Sequence, residues 1–305
     1  MSWQATALNR WLRWTEKPFL TNAQSALALR RSFQFKAALF FHGPLSVRHK
    51  WRDLAGAPAL RIRPRRSTGG RTILYFHGGA HVFGSPRTHA AMLGALAARS
   101  GAQAVLPRYP LAPEDPFPAA VDHCLAAYRA LLAEGVDPAT LVVGGDSAGG
   151  NLAFVLLADL LAAGDPLPAG VFGLSPLLDL GFTGKSFLGN AAADVVLPAS
   201  RIWETALGYL DGHPAEDPRA SPLHADFDGA PPVWLCVGDT EILQDDTMRL
   251  TEKLRAAGTP VELTVAPDLP HVWPIFHNIL PEGGETLDQL AQWIKGQTAA
   301  SDPTR

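Results

Sequence analysis

The chain has only two cysteines, Cys124 and Cys236, too few for a disulfide framework. One falls in an apolar helical pattern and the other in an apolar strand pattern, where free buried thiols are the ordinary state. There is no surplus of basic residues: 26 Lys and Arg stand against 29 Asp and Glu, a net charge of -3. That balance argues against a nucleic-acid binder, which shows a basic face or stripe. No apolar run reaches the roughly 18 residues a membrane span needs. The first residues do not combine a basic start, an apolar stretch and a small-residue cleavage site. The expectation is a cytoplasmic chain without stable membrane insertion. Charged residues make up only 18% and hydrophobic ones 47%, so a sizeable core is available and general disorder is excluded. Arg61, Arg63, Arg65, Arg66 and Arg71 flank a turn expected around Gly69-Gly70 and read as a solvated hairpin.

The first ~45 residues read as helix. Trp3, Ala7, Trp11 and Trp14 fall near helical spacing, Pro18 punctuates, and a second helix is expected from Thr21 to Phe41. From Val47 the texture changes to a hairpin (Val47 to Asp53, Leu60 to Arg63), then to short apolar runs alternating with longer helical patterns. The expected strands are Thr72 to Phe76, Ala104 to Pro107, Leu141 to Gly144, Val171 to Leu174, Val233 to Val237 and Val261 to Val265. The expected helices are Met92 to Ser100, Ala119 to Glu134, Ser147 to Ala163, Asp245 to Ala257 and Thr286 to Gln297. Such alternation builds a mostly parallel sheet covered on both faces. Nearly sixty residues separate Val171 to Leu174 from Val233, where one helix would suffice, and long insertions of this kind are usually functional. The expected division is therefore 1–45, the N-terminal part of a helical lid or cap, and 46–305, a catalytic α/β domain with a cap insertion at about 180–225.

The chemistry centres on Gly145-Asp146-Ser147-Ala148-Gly149-Gly150. The run joins a strand to a helix, and Gly-x-Ser-x-Gly at such a junction exposes a strained nucleophilic serine. It lacks the Lys-Ser/Thr of a phosphate loop, and its glycines do not fit Gly-x-Gly-x-x-Gly. His77-Gly78-Gly79-Ala80 follows the strand Thr72 to Phe76. Glycines there let an ester carbonyl approach backbone N–H groups, each worth roughly 3 kcal/mol to a developing oxyanion. The expected donors are Gly78, Gly79 and Ala148. His77 is expected to hold this loop by its ring nitrogens.

A general base belongs on a loop after the last strand. His271, in Asp268-Leu269-Pro270-His271, sits there beside loop-stiffening prolines, with His277 the near rival. The acid that orients it belongs after the strand Val233 to Val237. Asp245 and Asp246 are placed for capping and first-turn roles in the next helix. Asp239 and Glu241 both remain as acids on these grounds.

Taken together, these residues resemble the bacterial hormone-sensitive-lipase-like esterases, a family with the α/β-hydrolase fold, across nearly the whole chain. His77-Gly78-Gly79-Ala80 is similar to the family's His-Gly-Gly-Gly with Ala80 in the last place, and Gly145 to Gly150 matches its Gly-Asp-Ser-Ala-Gly-Gly. Arg108-Tyr109-Pro110-Leu111-Ala112-Pro113-Glu114 resembles its Tyr-Arg-Leu-Ala-Pro-Glu, with Pro110 in place of the usual Arg. The family's Gly-x-x-Asp/Glu-x-Leu fits Gly238, Glu241 and Leu243 in register, which favours Glu241 over Asp239. The resemblance implies an eight-stranded sheet with a helical cap and a Ser147-Glu241-His271 triad. It also implies hydrolysis of short- to medium-chain acyl esters through an acyl-enzyme, with no metal or cofactor, and a homodimer through the sheet edge near Val261 to Val265. The rivals are a hydrolase of a lactone, amide or carbamate, a non-catalytic small-molecule receptor on the same scaffold, and a peptidase, for whose usual extra domain the chain has no room.

Overall fold

The computed structural model describes residues 1–65 and 70–298, so Arg66 and Gly69 of the expected turn lie outside the described residues. Two helices come first, α1 (Trp3–Asn22) and α2 (Ala26–Phe40). They are followed by strands β1 (Val47–Leu54), β2 (Ala57–Pro64) and β3 (Thr72–Phe76). The chain continues as α3 (Pro86–Ser100), β4 (Gln103–Pro107), α4 (Ala119–Ala133), β5 (Leu141–Asp146), α5 (Ala148–Ala163) and β6 (Gly170–Leu174). Next come α6 (Lys185–Gly189), α7 (Ala199–Leu210), β7 (Val233–Gly238), α8 (Gln244–Ala256), β8 (Val261–Ala266) and α9 (Pro281–Gln297). The eight strands form one sheet in the order β1-β2-β4-β3-β5-β6-β7-β8. β2 runs antiparallel to both β1 and β4, and the pairs from β4 through β8 are parallel.

The short apolar runs form these strands because both sheet faces are covered. Along β3, Leu74 and Phe76 join one core with α4, α5 and α8, while Ile73 and Tyr75 join a second core with α3 and α9. Every residue of β3, β5, β6 and β7 is buried, and each large apolar side chain so placed contributes about 1.5–3 kcal/mol. β8, at the sheet edge, is mostly half-buried or exposed.

Several helix boundaries differ from the sequence expectation: α2 begins at Ala26 rather than Thr21, α9 begins at Pro281 rather than Thr286, and two further differences have a clear local cause. Pro18 lies inside α1 rather than ending it. A proline removes the bond from its own nitrogen to the carbonyl four residues back. That carbonyl belongs to Trp14, whose residue is exposed, so water can satisfy it. α3 starts at Pro86, six residues earlier than expected, because Ser85 and Thr88 form a reciprocal capping box and proline suits the first helical turn.

Candidate active site

Ser147 stands between β5 and α5 with φ 51° and ψ -120°, a left-handed conformation costing on the order of 1–3 kcal/mol for a non-glycine residue. The surroundings hold it there. Its N–H donates to the Leu174 carbonyl at 2.9 Å, and its own carbonyl accepts from Leu177 N–H at 3.0 Å. Gly149 permits the turn, because a Cβ at that position would lie 2.0 Å from the Phe76 carbonyl oxygen.

His271 and Glu241 meet as the register of the acid motif requires. His271 Nδ1 lies 2.5 Å from Glu241 Oε2. Glu241 Oε1 accepts from Gly238 N–H at 2.6 Å and from Ser175 Oγ at 2.7 Å. Ser175 Oγ in turn accepts from Val272 N–H at 3.2 Å, so the serine ties the acid to the base's own loop. Asp239 is exposed, and its carboxylate accepts from Asp268 N–H at 2.7 Å instead. His277 donates its backbone N–H to Pro274 and does not reach this cluster.

With Nδ1 donating to a carboxylate, Nε2 carries the lone pair a base needs. Nε2 is buried and has no hydrogen-bond partner among the described residues, and it shares a cavity with Ser147. Burial alone would lower the His271 pKa. The charge and hydrogen bond of Glu241, then the charges of Asp194 and Asp146, outweigh burial and raise it above 6.5.

The loop after β3 corrects one expectation. Gly78 N–H is not free for an oxyanion, since it donates to Asp146 Oδ1 at 2.9 Å. Gly78 is needed for a different reason: a Cβ there would sit 2.2 Å from Asp146 Oδ2. The amides of Gly79 and Ala80 have no acceptor among the described residues, and both residues line the cavity. Ala148 is the first residue of α5, where an N–H has no intrahelical acceptor. The donor set the geometry offers is therefore Gly79, Ala80 and Ala148. Ala80 takes φ 52°, which a glycine in the family's last position would adopt freely.

Below the loop lies a buried polar cluster that sequence reading missed. Asp146 Oδ1 also accepts from Tyr75 Oη at 2.7 Å, and its Oδ2 lies 3.2 Å from His89 Nε2. Burial raises the Asp146 pKa, but His89, Tyr75 and the Gly78 amide together bring it below the usual value. His77 holds the loop as expected: its Nδ1 lies 2.9 Å from the Gly78 carbonyl, and Tyr109 Oη donates to its backbone carbonyl at 2.5 Å. Burial, then His89, push the His77 pKa to about 3, which keeps the ring neutral. Asp194 is a second missed residue. Its carboxylate accepts from Val196 and Leu197 N–H at 2.8 Å each and from Ile242 N–H at 3.0 Å, next to Glu241. Asp245 and Asp246 lie in the first turn of α8, where they accept backbone N–H groups from the stretch after β6.

The cavity above Ser147 has a volume of about 300 Å³ and a mostly apolar wall. Leu8, Trp11 and Leu12 of α1, Phe33 and Phe40 of α2, and Ile202 of α7 form much of that wall. Arg13 and Lys17 of α1 donate to the carbonyls of Ala191, Ala192, Ala193 and Asp194, at 2.6–2.9 Å. Arg30 of α2 donates to the Val82 and Ala112 carbonyls at 2.8 and 2.9 Å and pairs with Glu114. Among the described residues no helix is long and apolar enough to cross a membrane, and no cluster of His, Cys, Asp and Glu is arranged to hold a metal.

Residues 73–275 match a family described as alpha/beta hydrolase fold. An acetyl-hydrolase of Streptomyces hygroscopicus is 40% identical over 237 residues, 78% of this chain and 79% of that protein. An esterase of Acinetobacter venetianus is 36% identical, over 77% of this chain and 82% of its own. The crystal structure of EstE5 superposes with a TM-score of 0.93 at 36% identity, covering 98% of this chain and 100% of that one. The structure of an esterase from the bacterial hormone-sensitive lipase family superposes with a TM-score of 0.92 at the same identity, covering 98% and 99%.

Proposed function

The chain belongs to the α/β-hydrolase family and is a carboxylic ester hydrolase related to the bacterial hormone-sensitive-lipase-like esterases, and on that premise we propose that it works through a Ser147-His271-Glu241 triad. The observation that carries this reading is the 2.5 Å contact of His271 Nδ1 with the buried Glu241, which leaves Nε2 unpartnered in the cavity that holds Ser147. His271 Nε2 takes the Ser147 hydroxyl proton as Oγ attacks the ester carbonyl. The N–H groups of Gly79, Ala80 and Ala148 stabilise the oxyanion. His271 then protonates the leaving alcohol, and water activated by the same nitrogen releases the acid.

The apolar walls support short- to medium-chain acyl esters as substrates. Residues 1–45 and about 180–225 serve as the two parts of a cap over the 46–305 domain. The exposed β8 edge is where a homodimer would pair, and the cytoplasm is the location that accompanies this reading. The test is labelling with a fluorophosphonate probe beside hydrolysis of a p-nitrophenyl ester series from acetate to palmitate. The wild type is expected to label and to prefer the shorter esters. Ser147→Ala is expected to lose labelling and roughly 10⁴-fold or more in kcat. A folded wild type that neither labels nor turns over any ester would leave a receptor on the same scaffold as the better reading.

A further inference from the structure

The outer faces of α1 and α2 have no role in the chemistry above. On α1, Trp3, Ala7, Arg10 and Trp14 recur at helical spacing and are exposed, while Ala5, Leu8 and Leu12 on the other face are buried. On α2, Leu27, Arg31, Phe35 and Leu39 stand four residues apart and are likewise exposed. Trp3 and Trp14 are each 77% exposed and Phe35 69%, far beyond what a structural role in packing would leave open. An apolar patch of this kind marks an interaction surface.

Charge selects the partner. Up to residue 46 the chain carries six Lys and Arg against one acid, Glu16, while the remaining residues carry twenty against twenty-eight. Lys36 is paired with Glu16 and Arg30 with Glu114. Arg10, Arg13 and Arg31 are exposed and have no carboxylate partner among the described residues. A two-fold contact between copies of this face would set these cations against themselves, which disfavours a second copy as the occupant. Tryptophans beside arginines on an amphipathic helix suit an anionic lipid surface, where indole rings sit at headgroup level and cations meet phosphate.

The patch is also continuous with the cavity. Trp11 and Phe40 both line it, both remain partly exposed, and their rings meet edge to face at 5.7 Å between α1 and α2. We propose that the outer faces of α1 and α2 dock on an anionic lipid surface, so that the cavity mouth at Trp11 and Phe40 opens toward esters dissolved in that layer.

The test is co-sedimentation of the full-length protein with phosphatidylcholine vesicles, with and without phosphatidylglycerol. The wild type is expected to pellet with the phosphatidylglycerol vesicles and far less with pure phosphatidylcholine, and added salt is expected to release it. Arg10→Glu with Arg31→Glu should lower partitioning by roughly fivefold for each cation removed. Trp3→Ser, Trp14→Ser and Phe35→Ser combined should abolish it. None of these residues lines the cavity, so retained hydrolysis of p-nitrophenyl butyrate reports an intact fold and separates failure of docking from failure of the esterase site. A wild type that stays in the supernatant with anionic vesicles would overturn the proposal. So would variants that pellet like the wild type, or a dimer in sedimentation equilibrium that the Trp and Phe substitutions dissolve.

Discussion

One helix begins directly after Ser147, another lines the cavity above it, and the two are held in opposite ways. α5, which follows Ser147, buries eleven of its sixteen residues between the sheet and its neighbours. α2 buries only Ala37 of its fifteen, and much of its attachment is polar, through Arg30 to the Val82 and Ala112 carbonyls and Lys36 to Glu16. Close packing fixes position to fractions of an ångström, whereas exposed polar ties yield. Under the proposed function, the chemistry would rest on the closely packed part and admission of substrate on the loosely tied one. Variants in the floor should lower kcat, and variants in the outer helices should raise KM.

The sharpest way to break that division is the acid. Glu241→Ala is expected to lower kcat by roughly 10³–10⁴-fold, and Asp239→Ala to stay within about threefold of wild type, measured by steady-state hydrolysis of p-nitrophenyl butyrate. An inactive Asp239→Ala beside an active, folded Glu241→Ala would overturn the assignment.

A second effect, about tenfold in rate per pH unit at its steepest, is the acid limb of the pH profile. The base works only when neutral, so kcat/KM should fall as pH drops through the His271 pKa, which lies above 6.5. Glu241→Gln removes the charge that raises this pKa, so the residual activity should show its limb at lower pH. A limb that stays in place or moves upward would show that Glu241 does not set it.

These predictions use residues of unequal legibility. The Ser147 motif, the His271 loop and the strand rhythm could be read because each is local: a strand-to-helix junction, a loop after a strand, a run of apolar residues. β3 falls on its expected bounds for that reason. Choosing Glu241 over Asp239 needed the register of a family motif, since both follow β7 and only the fold shows which one is buried beside His271. The loss of Gly78 from the donor set could not be read at all. It depends on Asp146, 68 residues away in sequence, approaching through the pairing of β3 with β5. Asp194 was hidden in the same way, because its contact with Ile242 N–H spans 48 residues. The start of α3 was readable: Ser85-Pro86-Arg87-Thr88 is a helix-start signal that apolar periodicity passed over.

The outer helices offer a smaller test. Lys17→Ala combined with Arg13→Ala removes the ties from α1 to the carbonyls of residues 191–194. KM is expected to rise by roughly three- to tenfold with kcat within about twofold. A fall in kcat at constant KM would place these ties in the floor instead. The smallest effect is Ala80→Gly, which relieves the left-handed backbone at φ 52°. The relief of about 1–2 kcal/mol is partly offset by the added freedom of the unfolded chain, for a net gain of roughly 0.5–1 kcal/mol in urea unfolding. A net loss would show that the Ala80 methyl group stabilises the loop by packing.

Asp146 has a further consequence. It is bonded in sequence to Ser147, and through its carboxylate it holds the amide of Gly78, immediately before the proposed oxyanion donors. Under the proposed mechanism, the attacking atom and the donors that receive its product are therefore located from one shared reference. A displacement of either would then carry the other with it, so their relative error would stay small even when the site as a whole drifts. Transfer of an acyl group depends on that difference and not on absolute position, and a single buried carboxylate would serve to cancel it.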